Sequence, residues 1–211
     1  EKYLFSLAKL QDKRQNATCQ TGSKLNIGKS MVERSFICQA VVLKRTSIGE
    51  TDRVVTLLSQ EYGKFAAVAK GVRKLSSTKR ALIEPGNIIK AYCVKTKSWP
   101  LLTQASLVDD TAHARESLSQ IKQLHQLLEI LDQLFVELEL DRELFNLILT
   151  TRSLILDQRS SISFIRQHLE QIIASLGYQS ATQAGFENLT DYITSLTNRK
   201  IHSFEYLTPK A

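Results

Sequence analysis

Twelve lysines and arginines lie between residues 36 and 100, against four acidic residues in the same stretch. They are Lys44, Arg45, Arg53, Lys64, Lys70, Arg73, Lys74, Lys79, Arg80, Lys90, Lys95 and Lys97. Residues 101–211 carry nine cations against fourteen acids, so the net charge of +7 comes from the front of the chain. Such a surface attracts polyanions and concentrates them by steering. In an alternating strand Lys90 and Tyr92 share a face, and Ile89, Ala91 and Cys93 take the other. That pairing sets a cation for phosphate beside a ring for base stacking, as single-stranded nucleic acid requires. The run Lys70-Gly71-Val72-Arg73-Lys74, followed by Lys79-Arg80, makes a basic loop suited to backbone contact without sequence readout. The plainer alternative is that these are solvated charges around a scaffold with another task. Tyr62, Phe65 and Trp99 read as packing residues, with Trp99 beside Pro100 plugging a hairpin.

No catalytic constellation accompanies the cations. The four histidines, His113, His125, His168 and His202, are scattered, and the acidic run Glu137, Glu139, Asp141, Glu143 fits a solvated helix junction. Three cysteines, Cys19, Cys38 and Cys93, have no ligand spacing. Cys38 and Cys93 sit in apolar runs, where a thiol behaves as a small hydrophobe. The expectation is a reducing, cytoplasmic protein with no cofactor and no enzymatic activity. No run reaches the ~20 apolar residues of a membrane span.

The elements that must position the cations follow from periodicity. Short β-type runs recur at Phe36–Arg45, Arg53–Ser59, Lys64–Lys70, Asn87–Thr96 and Leu101–Val108, separated by turn residues such as Gly49, Gly63 and Pro85-Gly86. A longer break, Gly71–Arg80, with room for a helical turn, divides the third from the fourth. Five strands so spaced predict a closed β-barrel of the OB type over residues 33–110. Beyond Asp110 the period changes. Ile121, Leu124, Leu128, Leu131, Phe135 and Leu138 mark one helix, and Asp141 can cap a second carrying Leu144 to Ile155. Ser160 or Ser161 can cap a third that ends at Gly177, and a last helix is expected around Leu189–Leu196. The fold class is therefore α+β, an N-terminal barrel followed by a small all-α domain over 111–211. Residues 1–30 are polar and basic and offer nothing to build a core. With Met31 as the single methionine, they read as an extension that is not native, the alternative being a real basic tail.

Ala40-Val-Val-Leu-Lys44, Gly49-Glu-Thr-Asp-Arg53, Gly63-Lys64, Ala69-Lys-Gly-Val-Arg-Lys74 and Glu84-Pro85, in that order, resemble the OB-fold of the bacterial RecO recombination mediators. Thr103-Gln-Ala105, Glu143-Leu-Phe-Asn-Leu147, Leu176-Gly-Tyr178, Tyr192–Leu196 and Lys200–Ser203 extend the resemblance over residues 33–205. Many members carry a four-cysteine zinc site after the Leu-Gly-Tyr element. Gln179–Glu187 has no cysteine, so the chain is similar to the zinc-free members. The resemblance implies a non-enzymatic DNA-repair and recombination factor of the bacterial cytoplasm and nucleoid. Such a protein binds single- and double-stranded DNA and anneals complementary strands. With RecR it helps load RecA on DNA coated by the single-stranded-DNA-binding protein, whose acidic C-terminal tail it also contacts. The DNA-binding positions this assigns are Lys44, Arg45, Arg53, Lys64, Lys70, Arg73, Lys74, Lys79, Arg80, Lys90 and Tyr92. The alternative function is a protein-interaction adaptor that uses the barrel as scaffold.

Overall fold

The computed structural model describes residues 34–112, 117–136, 138–157, 161–203 and 206–207. The expectation for residues 1–30 lies outside them. The five strands are β1 (Ser35–Ile48), β2 (Asp52–Ser59), β3 (Gly63–Ala69), β4 (Ile88–Val94) and β5 (Leu101–Asp109). They close into a ring in the order β1-β2-β3-β5-β4. The pairings are antiparallel except at the closure, where β3 meets β5 in parallel through Val68 and Leu101. The backbone N–H of Val68 donates to Pro100 O at 2.8 Å, so the β4–β5 connection seals that seam.

Strand alternation fills the ring. Phe36, Cys38, Ala40 and Val42 from β1 meet Val55, Leu57, Ala67, Ala69, Ile89, Ala91, Cys93 and Leu102 in one cluster. The many alanines follow from the narrow interior, which takes a large side chain only where a small one faces it. One end of the ring is plugged by Val72 and Ile83, both fully buried, from the connection between β3 and β4. That connection holds the one-turn helix α1 (Lys79–Leu82). Buried Asn87 ties it down: its side-chain amide donates to Ala81 O and Leu82 O, each at 3.1 Å, and its Oδ1 accepts from the backbone N–H and hydroxyl of Thr111.

Four longer helices follow: α2 (Leu118–Leu134), α3 (Arg142–Leu156), α4 (Ile162–Ser175) and α5 (Leu189–Thr197). Asp141 caps α3 by accepting from Glu143 N at 3.2 Å, and Ser161 caps α4 by accepting from Phe164 N at 3.3 Å. Gly177 follows α4 at φ +85, the left-handed turn that glycine takes without strain. The helical core takes in Val41, Leu43, Leu58 and Ile88 from the outer face of the ring. Val41, Val42 and Leu43 are all buried because that part of β1 is covered on both faces. Glu33–Ala211 is one compact unit.

The helix predicted through Leu138 stops at Leu134. Phe135 is extended, and the following backbone bonds instead to the β2–β3 hairpin: Lys64 N donates to Val136 O at 3.0 Å and Leu140 N to Gln60 O at 2.8 Å. Gly63 makes this approach possible. Its φ is +60, and a Cβ there would lie 2.0 Å from Leu138 O.

Candidate nucleic-acid interface

The cations divide according to the register of β1. Val42 faces the ring interior, so strict alternation would send Lys44 inward and Arg45 outward. A bulge between Val42 and Lys44 reverses this, pairing Lys44 with Thr56 and Arg45 with Val55. Val55 points inward, and directly opposed residues share a face. Arg45 therefore joins the interior row where it emerges at the mouth of the ring. Arg53 continues the Leu57–Val55 row of β2 to the same mouth and pairs with Ala69 of β3.

Two loops are clasped over this mouth. Asp52 accepts from Gly71 N at 2.7 Å and from the Thr51 hydroxyl at 2.8 Å. Those bonds, the Gly71 N–H first, hold its carboxyl below the usual range. Arg73 N donates to Thr51 O and Arg73 Nη1 to Gly49 O, each at 2.9 Å. The Gly49–Asp52 loop thus serves as the anchor that presents Arg73. Arg80 stands exposed on α1. The four guanidinium groups share one neighbourhood. Burial lowers the Arg53 pKa most, and Arg45, Arg80 and Arg73 lower it further, with Glu84 opposing them. Arg45 donates to the Glu84 carboxylate. Arg53 Nη1 is buried without a hydrogen-bond partner. Four guanidinium groups, one of them paired with Glu84, leave a surplus of positive charge at this end of the ring, and one donor already desolvated.

The other expected positions scatter around this mouth. Lys70 and Lys74 are exposed on the clasped loop, near enough to Asp52 to favour its ionised form. Lys79 donates to Thr103 O at 3.0 Å and so helps seat α1 on β5. Lys90 and Tyr92 share the outer face of β4, the ammonium 5.9 Å from the ring centroid. Lys44, turned away by the bulge, borders a cleft of about 810 Å³ with His125, Glu129 and Asp132 of α2. Lys64 also leaves the set: its ammonium donates to Asp132 O and lies 3.5 Å from the Asp132 carboxylate. Phe36, Tyr62 and Phe65 form a packed aromatic group, with Phe36 and Tyr62 centroids 4.4 Å apart. Trp99 is 51% exposed, so it is no plug; the closure at that hairpin is made by the Pro100 carbonyl.

Sequence reasoning read Glu84 as part of a turn and, with Pro85, as one motif of the resemblance, and gave it no place beside the arginines. The signal available was its place as the one acid within the second half of the basic stretch. The bulge that selects Arg45 over Lys44 leaves no such signal. Among the described residues no group of three or more His, Cys, Asp or Glu could hold a metal ion, and no helix is long and apolar enough to cross a membrane.

The strands, the mouth and both clasped loops fall within residues 31–111, which match the family model described as Recombination protein O N terminal. The front of the chain carries a RecO N-terminal domain. Curated relatives named DNA repair protein RecO agree with this. The one from Heliobacterium modesticaldum is 35% identical over 117 residues, 56% of this chain and 42% of the relative. That of Cutibacterium acnes is 34% identical over 106 residues, 50% of this chain and 42% of the relative. That of Pelotomaculum thermopropionicum is 30% identical over 143 residues, 68% of this chain and 56% of the relative. The chain spans about half the length of the RecO relatives it matches. The family match takes in all four mouth arginines and Glu84.

Proposed function

We propose that this chain is a DNA-repair and recombination mediator of the RecO family, whose five-strand ring is an OB-fold barrel that binds DNA by its backbone. The observation that carries this is the gathering of Arg45, Arg53, Arg73 and Arg80 at one mouth, where Glu84 pairs with Arg45 and Asp52 is taken up in the loop clasp. Arginine suits the task because its planar fork matches phosphate oxygens and stays charged at all working pH. A cationic mouth that holds phosphates of two strands lowers their mutual repulsion and leaves base pairing to match the sequences. That is strand annealing, and it needs no turnover by the protein. Lys70 and Lys74 extend the footprint along the loop, and Lys90 with Tyr92 offers a separate contact on β4 for an unpaired strand. Work with RecR, contact with the acidic tail of the single-stranded-DNA-binding protein, help to RecA and a cytoplasmic, nucleoid setting complete the proposal.

The test changes Arg53, Arg73 and Arg80 together to glutamine, leaving Arg45 paired with Glu84. The triple variant should keep the wild-type circular dichroism spectrum. It should slow the annealing of complementary strands coated with single-stranded-DNA-binding protein by tenfold or more. Annealing at the wild-type rate would remove the mouth from the mechanism.

A further inference from the structure

The arginine mouth contains its own anion. Glu84 accepts from Arg45, and both side chains remain partly open to solvent, 28% for Arg45 and 23% for Glu84. Beside the pair, Arg53 Nη1 is buried and lacks an acceptor. Glu84 opposes the lowering of the Arg53 pKa, so its charge reaches Arg53 without filling that donor. The backbone that carries Glu84 is fixed. Gly86 N donates to Val42 O at 2.7 Å, and Asn87 N to Glu84 O at 3.1 Å. Only the side chain has freedom to leave.

We propose that the Glu84 carboxylate is a stand-in for a phosphate, and that binding of a nucleic-acid phosphodiester displaces it from Arg45. The inference rests on the reading that the mouth binds DNA. A carboxylate and a phosphodiester both carry one negative charge and both accept from a guanidinium fork. They repel each other if both approach Arg45, so an arriving phosphate takes Arg45 together with the free Arg53 donor, and Glu84 swings to solvent. One contact is then exchanged, not added. Affinity is set below what four free arginines would give, and a bound strand is released by the return of an internal competitor as well as by salt. Quick exchange of this kind suits a protein that must let strands shift until they pair.

The experiment measures binding of a fluorescent 30-nucleotide single strand to the full chain by anisotropy, from 50 to 300 mM KCl. Glu84→Gln frees Arg45 while keeping the shape of the side chain. It should bind about fivefold more tightly at 100 mM, the scale of a partly exposed ion pair. Its salt slope should stay near the wild-type value, because Arg45 holds the same phosphate in both proteins. Adding Arg45→Gln to that variant should abolish the gain in affinity and lower the slope by about 0.7, the increment for one phosphate on a single strand. A strand with neutral methylphosphonate linkages should gain nothing from Glu84→Gln. Wild-type or weaker affinity for the phosphodiester strand in a folded Glu84→Gln protein would overturn the proposal, as would an equal gain for the neutral strand. If Glu84→Gln fails to fold, Glu84→Asp withdraws the carboxylate by one methylene and should give a smaller gain, and no gain would overturn it. The two readings separate cleanly. If the Arg53, Arg73 and Arg80 variant weakens binding while the Glu84 variants do nothing, exchange alone fails. If that arginine variant binds as wild type, the mouth itself is wrong.

Discussion

Arg152→Ala removes the bolt between the helices and the ring. Arg152 lies on α3 and is 1% exposed. Its Nε donates to Gly86 O at 2.5 Å, its Nη1 to Asp109 Oδ2 at 2.5 Å and its Nη2 to Asp110 O at 2.7 Å. The three acceptors differ in what truncation leaves behind. Asp109 is 55% exposed, so its carboxylate turns to water and no buried charge is orphaned. Asp110 is exposed as well, and its carbonyl can be hydrated. Gly86 is buried, with space beside it so tight that a Cβ would meet Thr111 and Leu124 within 3 Å, and its carbonyl has no other way out. One unsatisfied buried acceptor costs about 1–3 kcal/mol, and the lost charge-assisted bonds and packing of the arginine stem add to it. The sum is about 3–4 kcal/mol. In a chain of this length that lowers the melting temperature by roughly 10 °C. Arg152→Met keeps most of the stem and should recover only about 1 kcal/mol. Asp109→Ala should cost under about 1 kcal/mol, because its partner retains two acceptors and the carboxylate was mostly in water. Urea unfolding of the four proteins, followed by circular dichroism, reads these differences. A cost for Asp109→Ala equal to that of Arg152→Ala would mean that the ion pair, not the Gly86 carbonyl, holds the joint. A loss below 1 kcal/mol for Arg152→Ala would refute the reasoning outright.

Further outcomes follow from local geometry. Gly63→Ala combines a left-handed backbone with a Cβ 2.0 Å from Leu138 O and should cost at least about 2 kcal/mol in the same assay. Gly49→Ala, left-handed but with nothing within 4 Å, should cost only about 1. Burial pushes the Cys38 thiol up to about 12, with Cys93 adding to it, and the Cys93 thiol up to about 11. Iodoacetamide at pH 8 should therefore leave both unmodified in the folded protein and label both in urea, as peptide mass mapping would read. Asp52 has a folded pKa below its ordinary value, so its contribution to stability is full at neutral pH and is lost as pH falls through that lowered value. The stability gap between wild type and Asp52→Asn should narrow from pH 7 to pH 3, and a constant gap would contradict the clasp.

The strands and helices were legible because period and punctuation agree. Each of the five strands lies within three residues of its expected bounds, and the caps at Asp141, Ser161 and Gly177 stand where side-chain chemistry puts them. The misplaced end of α2 has a physical cause. Leu138 continues the helical stripe in sequence, yet the β2–β3 hairpin offers backbone hydrogen bonds to Val136 and Leu140 and the chain takes those. No local pattern announces a partner 70 residues away. The site was legible as a set of cations and not as a place. Lys64 and Arg53 look alike in sequence, but Lys64 is bound to Asp132, whereas Arg53 stands at the mouth with a free donor. The bulge after Val42, which sorts Lys44 from Arg45, is a property of strand pairing. So is the meeting of Arg45 with Glu84, which are 39 residues apart.

The central claim, that the mouth of the ring holds DNA through its arginines, is tested most directly by the salt dependence of single-strand binding in wild type and in the Arg53, Arg73 and Arg80 to glutamine variant. Three lost phosphate contacts should lower the slope of log K against log salt by about 2 and weaken binding equally for strands of different sequence. A variant that folds and keeps the wild-type slope would contradict the account.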